Sequence, residues 1–372
     1  MKTDIIVVGG YGHVGGQICE QLALYYPGKV YAAGRSFERA QQFCSGKRSN
    51  IKPLRLTVGE PLDEKQLERV KLVVMCLDQT DTTFARACLL AGTDYVDVSA
   101  NGVFLEAMEQ MNERTEGIGG TAVLSVGLAP GLTNLLALKA FQSLDGVNQI
   151  DIAIMLGLGD EHGKAAIEWT VDSLAASYAI TEAGRKRNIK SFTEGLKTDF
   201  GDGLGKRTAY RFPFSDQQTL SRTLGVPSVS TRLCFDSRMV TRSMALLKRS
   251  RFDRLLTAKS FRQLVIQSFG KLRYGSARYA IKVAGYGNIA GAAAVAEFGL
   301  QGVKEAEITA KTATAVVKGV YGSKLPRGVY HIEQLFEIEL HEQQAALRLK
   351  GDKDSFSQSI IGNIHCWSRT QS

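Results

Sequence analysis

Short apolar runs alternate with helical periodicity over the first third of the chain, and this alternation predicts a layered α/β domain. Asp4-Ile-Ile-Val-Val-Gly9 is apolar and β-branched, as a strand buried on both faces is. Ile18, Leu22 and Tyr25 then recur at helical spacing until Pro27-Gly28 ends the helix. Lys29–Ala33 reads as a second strand. Glu64–Val70 reads as a helix, and Leu72–Cys76 as a strand. Phe84–Ala91 is a helix capped by Asp81 or Thr82 and closed by Gly92. Tyr95–Ser99 and Thr121–Val126 are further strands.

Beyond this point the pattern changes. Gln149–Leu156 is a strand leaving the first domain. Lys164–Ala179 is helical, with Ala166, Trp169, Leu174 and Tyr178 near one side. Thr208–Phe214 and Ser228–Phe235 alternate like half-buried strands. Ala277–Val283 and Ala292–Phe298 read as an antiparallel pair turning at Tyr286-Gly-Asn288. Val303–Tyr321 is a helix returning toward the first domain. The expected division is 1–135 for a nucleotide-binding domain and 136–300 for an inserted α/β substrate and dimerisation domain with a mixed sheet. Residues 301–350 form a returning helix and strand, and the Ser-rich 351–372 form a loosely held tail.

The 372 residues suit two or three domains, and 44% hydrophobic with 22% charged residues excludes a largely disordered chain. No apolar run approaches the length of a membrane-spanning helix. The N-terminus lacks the features of a secretory signal, and the six cysteines (Cys19, Cys44, Cys76, Cys88, Cys234, Cys366) show no short pairing. Free thiols in a cytoplasmic protein are expected, with no metal site.

Net charge is +9, and it is concentrated. Between Arg232 and Lys282 thirteen Lys and Arg stand against Asp236 and Asp253. Met244–Leu272 interleaves Leu247, Leu255, Phe261 and Leu264 with basic residues. Three readings stay open: a solvated amphipathic face over apolar core, a positive wall attracting an acidic substrate and the cofactor phosphates, or contact with an anionic membrane surface. Nucleic acid is not expected, because no recognition motif is present and aromatic residues do not interleave as a stacking platform.

The chemistry begins at Gly10, Gly12 and Gly15, which match G-x-G-x-x-G between a strand and a helix. Gly10 permits the tight turn, Gly12 lets a pyrophosphate approach the backbone, and Gly15 allows close helix packing. The helix N-terminus offers unpaired amides to the phosphates. A dinucleotide-binding Rossmann domain is therefore expected, with Tyr11, His13 and Val14 also lining the cofactor. At the end of the second strand, where an NAD site places a carboxylate, stand Gly34-Arg35-Ser36. Arg35 and Ser36 suit a 2′-phosphate, so NADP(H) is expected over NAD(H). Arg39 could assist, and a solvated helix position accounts for it as well.

Ligands in such sheets lie beyond the carboxyl ends of the strands, which places Cys76, Leu77, Asp78 and Gln79, residues 97–100 and residues 127–134 along one crevice. Cys76, Leu77 and Asp78 are cofactor candidates. Asp97, Ser99, Asn134 and Trp169 are catalytic candidates. For each a structural role competes: capping for Asp97 and Asn134, core packing for Trp169. Tyr210 and Arg232 could bind a substrate carboxylate. His162 and Lys164, in a Gly-flanked loop, could supply a proton.

Three stretches resemble the saccharopine dehydrogenase (saccharopine reductase) superfamily. They are the glycine motif with Ala33-Gly34-Arg35-Ser36, Cys88-Leu-Leu-Ala-Gly-Thr-Asp-Tyr-Val-Asp-Val-Ser99, and Gly127-Leu-Ala-Pro-Gly-Leu-Thr-Asn134. Gly328-Val-Tyr-His-Ile-Glu-Gln334 is a weaker echo of the family's G-V-x-x-P-E. Ala129 stands where many relatives have Asp, and His331-Ile332 departs from the pattern before Glu333. The resemblance implies an NADP-dependent oxidoreductase acting on a C=N or C–N bond of a small amino-acid-like substrate, as a homodimer. It also leaves room for a membrane-associated reductase of a lipid-like substrate, since some relatives act there. A third reading is a non-catalytic NADP-binding scaffold.

Overall fold

A computed structural model describes residues 2–45, 50–60, 67–114, 116–161, 163–201, 203–249, 259–271, 275–351, 358–359 and 364–371. The chain forms two compact units. The first comprises Met1–Leu132, Ala306–Glu337 and Ala346–Ile360; the second comprises Thr133–Glu305, Ile338–Ala345 and Ile361–Ser372.

The first unit is built on a parallel sheet of β1 (Asp4–Val8), β2 (Val30–Gly34), β3 (Lys52–Arg55), β4 (Val70–Met75), β5 (Asp94–Asp97), β6 (Thr121–Leu124) and β15 (Gly328–His331). Their order is β15-β6-β5-β4-β1-β2-β3. The order reverses between β1 and β4, which is the topological switch where a doubly wound sheet opens a ligand crevice. Every residue of β1 is buried, in keeping with its unbroken apolar run. Helices α1 (His13–Tyr25) and α2 (Phe37–Ser45) follow β1 and β2. Ile18, Cys19 and Leu22 form the buried side of α1. The edge strand β3, largely exposed and interrupted by Pro53, carried no alternating signature. Of the helix expected over Glu64–Val70, residues 64–66 lie outside the described residues, Glu68 and Arg69 form a bend, and Val70 already belongs to β4.

The second unit contains a mixed sheet, ordered β10-β11-β12-β7-β13-β14-β19. Its strands are β7 (Gly146–Leu156), β10 (Leu196–Asp199), β11 (Lys206–Arg211), β12 (Ser228–Phe235), β13 (Arg278–Ile289), β14 (Ala292–Val303) and β19 (His365–Gln371). The fold is thus α/β, a Rossmann-type parallel sheet accompanied by a second, mixed-sheet unit. The helix at Lys164 stops at Ala175, and Ser177–Glu182 pairs instead with Arg185–Lys190 across the left-handed Ala183-Gly184 turn. β12 is almost wholly buried rather than half-buried, because it lies between β7 and β11 with the helix Asp216–Thr223 packed upon it.

Two expectations are corrected here. The β13–β14 turn is Ala290-Gly291, both with positive φ, and not Tyr286-Gly-Asn288. Gly287 serves a different purpose: the ladder to β7 shifts register after Tyr286, and a Cβ at Gly287 would collide with the Gly146 carbonyl. The segment read as a loose tail ends in a real strand, since β19 pairs with β14 from Val295 to Gln301. Trp367 on β19 lies where Cβ atoms at Gly299 and Gly201 would stand, so two glycines make its seat.

Candidate functional site

The glycine turn and the start of α1 form a cradle. Gly9 adopts a φ of +80° as the chain leaves β1. A Cβ at Gly10 would lie 2.6 Å from the Val7 carbonyl and 2.8 Å from Ala32 Cα, and one at Gly15 would collide with the Gly9 carbonyl. Both glycines are therefore required by protein packing. Gly12 differs: its added Cβ would meet only Gly9 O, at 3.0 Å, among the described atoms. Gly12 is exposed, as is His13, while Tyr11 and Val14 are half-buried. Gly12 caps α1 without a side-chain hydrogen bond, and no acidic residue stands in the first turn. The helix tip therefore faces outward with its amides and partial positive charge available to an anion.

Beside the cradle, Tyr11 lies flat across the end of β2. A Cβ at Gly34 would stand 2.5 Å from the Tyr11 hydroxyl oxygen, so glycine is needed there. That oxygen accepts the Ser36 amide at 3.3 Å, and the Arg39 guanidinium sits 5.1 Å from the ring centroid. Arg39 thus braces Tyr11. Ser36 caps α2: its Oγ accepts the Arg39 amide at 3.2 Å and donates to Glu38 at 2.9 Å. Arg35 is exposed at the end of β2.

The neighbouring strand ends carry a second polar group. Val98 N–H donates to Met75 O at 2.9 Å, and Val126 N–H to Asp97 O at 3.1 Å, so Cys76, Asp97 and Ser125 stand on adjacent strand ends. Asp97 is fully buried. Its Oδ2 accepts from the Tyr95 hydroxyl at 2.9 Å and from Gln79 Nε2 at 3.3 Å, and its Oδ1 accepts the Ser99 amide at 2.7 Å. Gln79 also donates to the Tyr95 oxygen at 2.5 Å. Burial pushes the Asp97 carboxyl up to about 6, against the opposing pull of the Ser99 and Tyr95 hydrogen bonds. The Cys76 thiol is pushed up by burial and then by the nearby Asp97 charge, so it stays protonated. Desolvation also raises Asp78. Gln79 Oε1 and Ser99 Oγ are buried without a hydrogen-bond partner among the described residues. Such orphaned atoms mark a place that a bound molecule or water completes.

Sequence reasoning missed Tyr95 and Gln79 as partners of Asp97. The Y-x-D alternation puts Tyr95 and Asp97 on one side of β5, a signal that was available. It also missed a chain of three polar residues at the next strand end. Ser125, with φ +59°, bonds through Oγ to His331 Nδ1 at 2.8 Å, and His331 Nε2 meets Glu109 Oε1 at 2.8 Å. Ser125 and His331 are buried, so this chain braces the end of β6 against β15. Replacing His331 by Phe strips the Ser125 hydroxyl of its partner. We expect a loss of about 1–3 kcal/mol, seen as a lower thermal midpoint of unfolding. An unchanged midpoint refutes the bracing role.

The remaining candidates lie in the second unit. Asn134 is buried as the second residue of the helix Thr133–Gln142, inside the helix rather than at its cap. It follows the segment Leu128–Leu132, which holds a cis Ala129-Pro130 bond. Trp169 is half-buried against Phe212 and Phe214, with centroids 5.5 and 5.2 Å away. Tyr210 stacks on Phe192 at 5.2 Å. Arg232 is engaged inward: its Nη1 meets Asp151 at 3.2 Å and Ser230 Oγ at 2.6 Å, and its Nε donates to Glu194 O at 3.3 Å. His162 and the side chain of Lys164 lie outside the described residues. Among the described residues no group of three His, Cys, Asp or Glu could hold a metal, and no helix is long and apolar enough to cross a membrane.

Comparisons with known proteins agree with the cradle. Residues 5–123 match the family described as the saccharopine dehydrogenase NADP binding domain. A curated relative, the mitochondrial alpha-aminoadipic semialdehyde synthase of Mus musculus, is 27% identical over 191 residues. That match covers 50% of this chain and 20% of the mouse protein's length. A solved structure, the apo histidine-tagged saccharopine dehydrogenase (L-Glu forming) from Saccharomyces cerevisiae, superposes with a TM-score of 0.62. It is 13% identical and covers 89% of this chain and 94% of its own, a likeness of fold. Residues 5–123 are therefore similar to the NADP binding domain of saccharopine dehydrogenases.

Proposed function

We propose that the protein is an NADPH-dependent oxidoreductase acting on a C=N or C–N bond of a small amino-acid-like compound. The observation that carries this reading is the open tip of α1, cleared at Gly12, beside an exposed Arg35 at the end of β2. A diphosphate would rest on the α1 amides. Arg35 would take a 2′-phosphate with its guanidinium fork, in place of the carboxylate that holds a 2′-hydroxyl. Ser36 would turn its donor from Glu38 to the same phosphate. Bound NADPH supplies the hydride. The chain supplies position and proton control: Asp97 fixes the turn through Ser99 and stores a proton behind it, while Gln79 Oε1 and Ser99 Oγ offer polar contacts.

Two measurements test this. NADPH absorbance is followed with pairs of α-keto acids and amines, with deuterium transfer from labelled cofactor as confirmation. Tight NADPH binding without turnover across that panel would instead favour a scaffold. Separately, Arg35→Ala is expected to weaken NADPH binding at least several-fold and leave NADH nearly unchanged. Equal losses for both cofactors overturn the NADP preference.

A further inference from the structure

The second unit contains a cavity of about 340 Å³ whose described polar lining is mostly cationic. Lys197 of β10, Lys206 and Arg207 of β11, and Arg238 and Arg242 of the helix Arg238–Arg249 surround it, joined by Thr208, Thr241, Cys234 and Phe235. No carboxylate lines it among the described residues. The volume suits a small ligand.

The charge here is uncompensated, unlike much of the rest of the unit. Arg187 and Arg211 share Glu182 and Glu194, Arg232 meets Asp151, Arg262 meets Asp172, and Lys282 meets Glu297. None of the five cavity cations makes an ion pair among the described residues. Asp199 and Asp236, on segments that also supply lining residues, are turned to other work. Asp199, opposite Lys206 in the ladder, accepts the Gly201 amide at 3.1 Å. Asp236 accepts the amides of Leu158 and Ser276 at 3.1 and 2.6 Å.

Two of the cations are also held in place. Arg207 Nη1 donates to the Asp236 carbonyl at 2.6 Å, and its Nε is buried without an acceptor among the described residues. Arg238 donates to the Lys206 carbonyl at 3.3 Å, tying the helix to β11. Cys234 and Phe235 are buried and form a neutral floor. Like charges kept together around one hollow repel one another, and an anion in the hollow removes that repulsion. A solvated basic face would need neither the fixed guanidinium nor cations left without ion pairs among the described residues.

We propose that this cavity is a binding site for a small organic phosphate, formed wholly within the second unit. Three arginine forks and two lysine point charges match the several oxygens and multiple negative charges of a phosphoryl compound better than a single carboxylate. The site gives Arg238 and Arg242, two members of the basic segment, a purpose beyond solubility. It stands independently of the redox reading.

Inorganic pyrophosphate is the probe, titrated calorimetrically into the full chain at constant ionic strength and with saturating NADPH present to fill the α1 cradle. One site per chain is expected. The doubly substituted Lys206→Gln/Arg242→Gln chain, whose two exposed side chains leave the Arg207 and Arg238 braces intact, is expected to bind at least tenfold more weakly, with an unchanged thermal midpoint and unchanged NADPH affinity. A Gly12→Val chain, in which the cradle is blocked, is expected to retain pyrophosphate binding. Absence of binding, equal binding in the doubly substituted chain, or loss in the Gly12 variant overturns the proposal. Citrate binding tighter than pyrophosphate would reassign the site to polycarboxylates and overturn the phosphate class.

Discussion

Gly12→Val is expected to weaken NADPH binding by about a hundredfold while the protein stays folded. The backbone at Gly12, with φ −81° and ψ 179°, is extended and open to any residue. Its added Cβ meets one oxygen at 3.0 Å, a contact a small shift relieves. The branched side chain then fills the space in which a diphosphate meets the α1 amides. Losing two charge-assisted hydrogen bonds at about 1.5–3 kcal/mol each is worth a hundredfold or more in affinity. Gly10 and Gly15 are poor tests, because any Cβ there strikes the protein's own backbone. Circular dichroism and a thermal melt establish folding, and calorimetry reads the affinity. An unaltered NADPH affinity would remove the cradle as the cofactor site.

Asp97→Asn is expected to lower kcat by about a hundredfold, leave NADPH affinity within a few-fold, and erase an ionisation near pH 6 from the rate profile. Asp97 exposes no surface, so its influence passes through Ser99, Tyr95 and Gln79. Misplacement by about 1 Å can cost a hundredfold. The asparagine keeps one acceptor and loses the titrating proton. An unshifted pH profile in the variant would rule out the proton store. The same group makes a stability prediction. Its carboxyl is pushed up from 3.8 to about 6 in the folded chain. The folded state therefore holds more protons than the unfolded chain between those values, and stability falls as pH rises through that window. The Asp97 contribution amounts to about 3 kcal/mol at about 1.4 kcal/mol per unit. Urea titrations at pH 4.5 and 7 should show this decline in the natural chain and a shallower one in Asp97→Asn.

The glycine turn between strand and helix, and the arginine at the next strand end, were legible because their signals are local. Three glycines, a strand before them and an arginine at the next strand end lie within 32 residues of each other, from Asp4 to Arg35. Asp97 was legible for the same reason, as the last residue of a short apolar strand. What escaped was assembled by topology. His331 reaches Ser125 across 206 residues only because β15 pairs with β6. The cavity cations come from two strands and a helix, and no spacing rule unites Lys197 with Arg242. Gly287 misled for a physical reason: glycine marks both turns and close backbone approaches, and Tyr-Gly-Asn reads as the former. The strand at the end of the chain was hidden by its Ser and Thr residues, which suit a sheet edge exposed to water.

The chain has two tryptophans, and both belong to the second unit. Trp169 stands among phenylalanines, and Trp367 occupies the seat left by Gly201 and Gly299. Intrinsic emission therefore gauges one half of the molecule selectively. A denaturation curve followed by fluorescence reports the mixed sheet and the docking of its final strand, whereas a curve followed by NADPH occupancy reports the parallel sheet. Any gap between their midpoints measures how far the two halves melt as separate cooperative bodies.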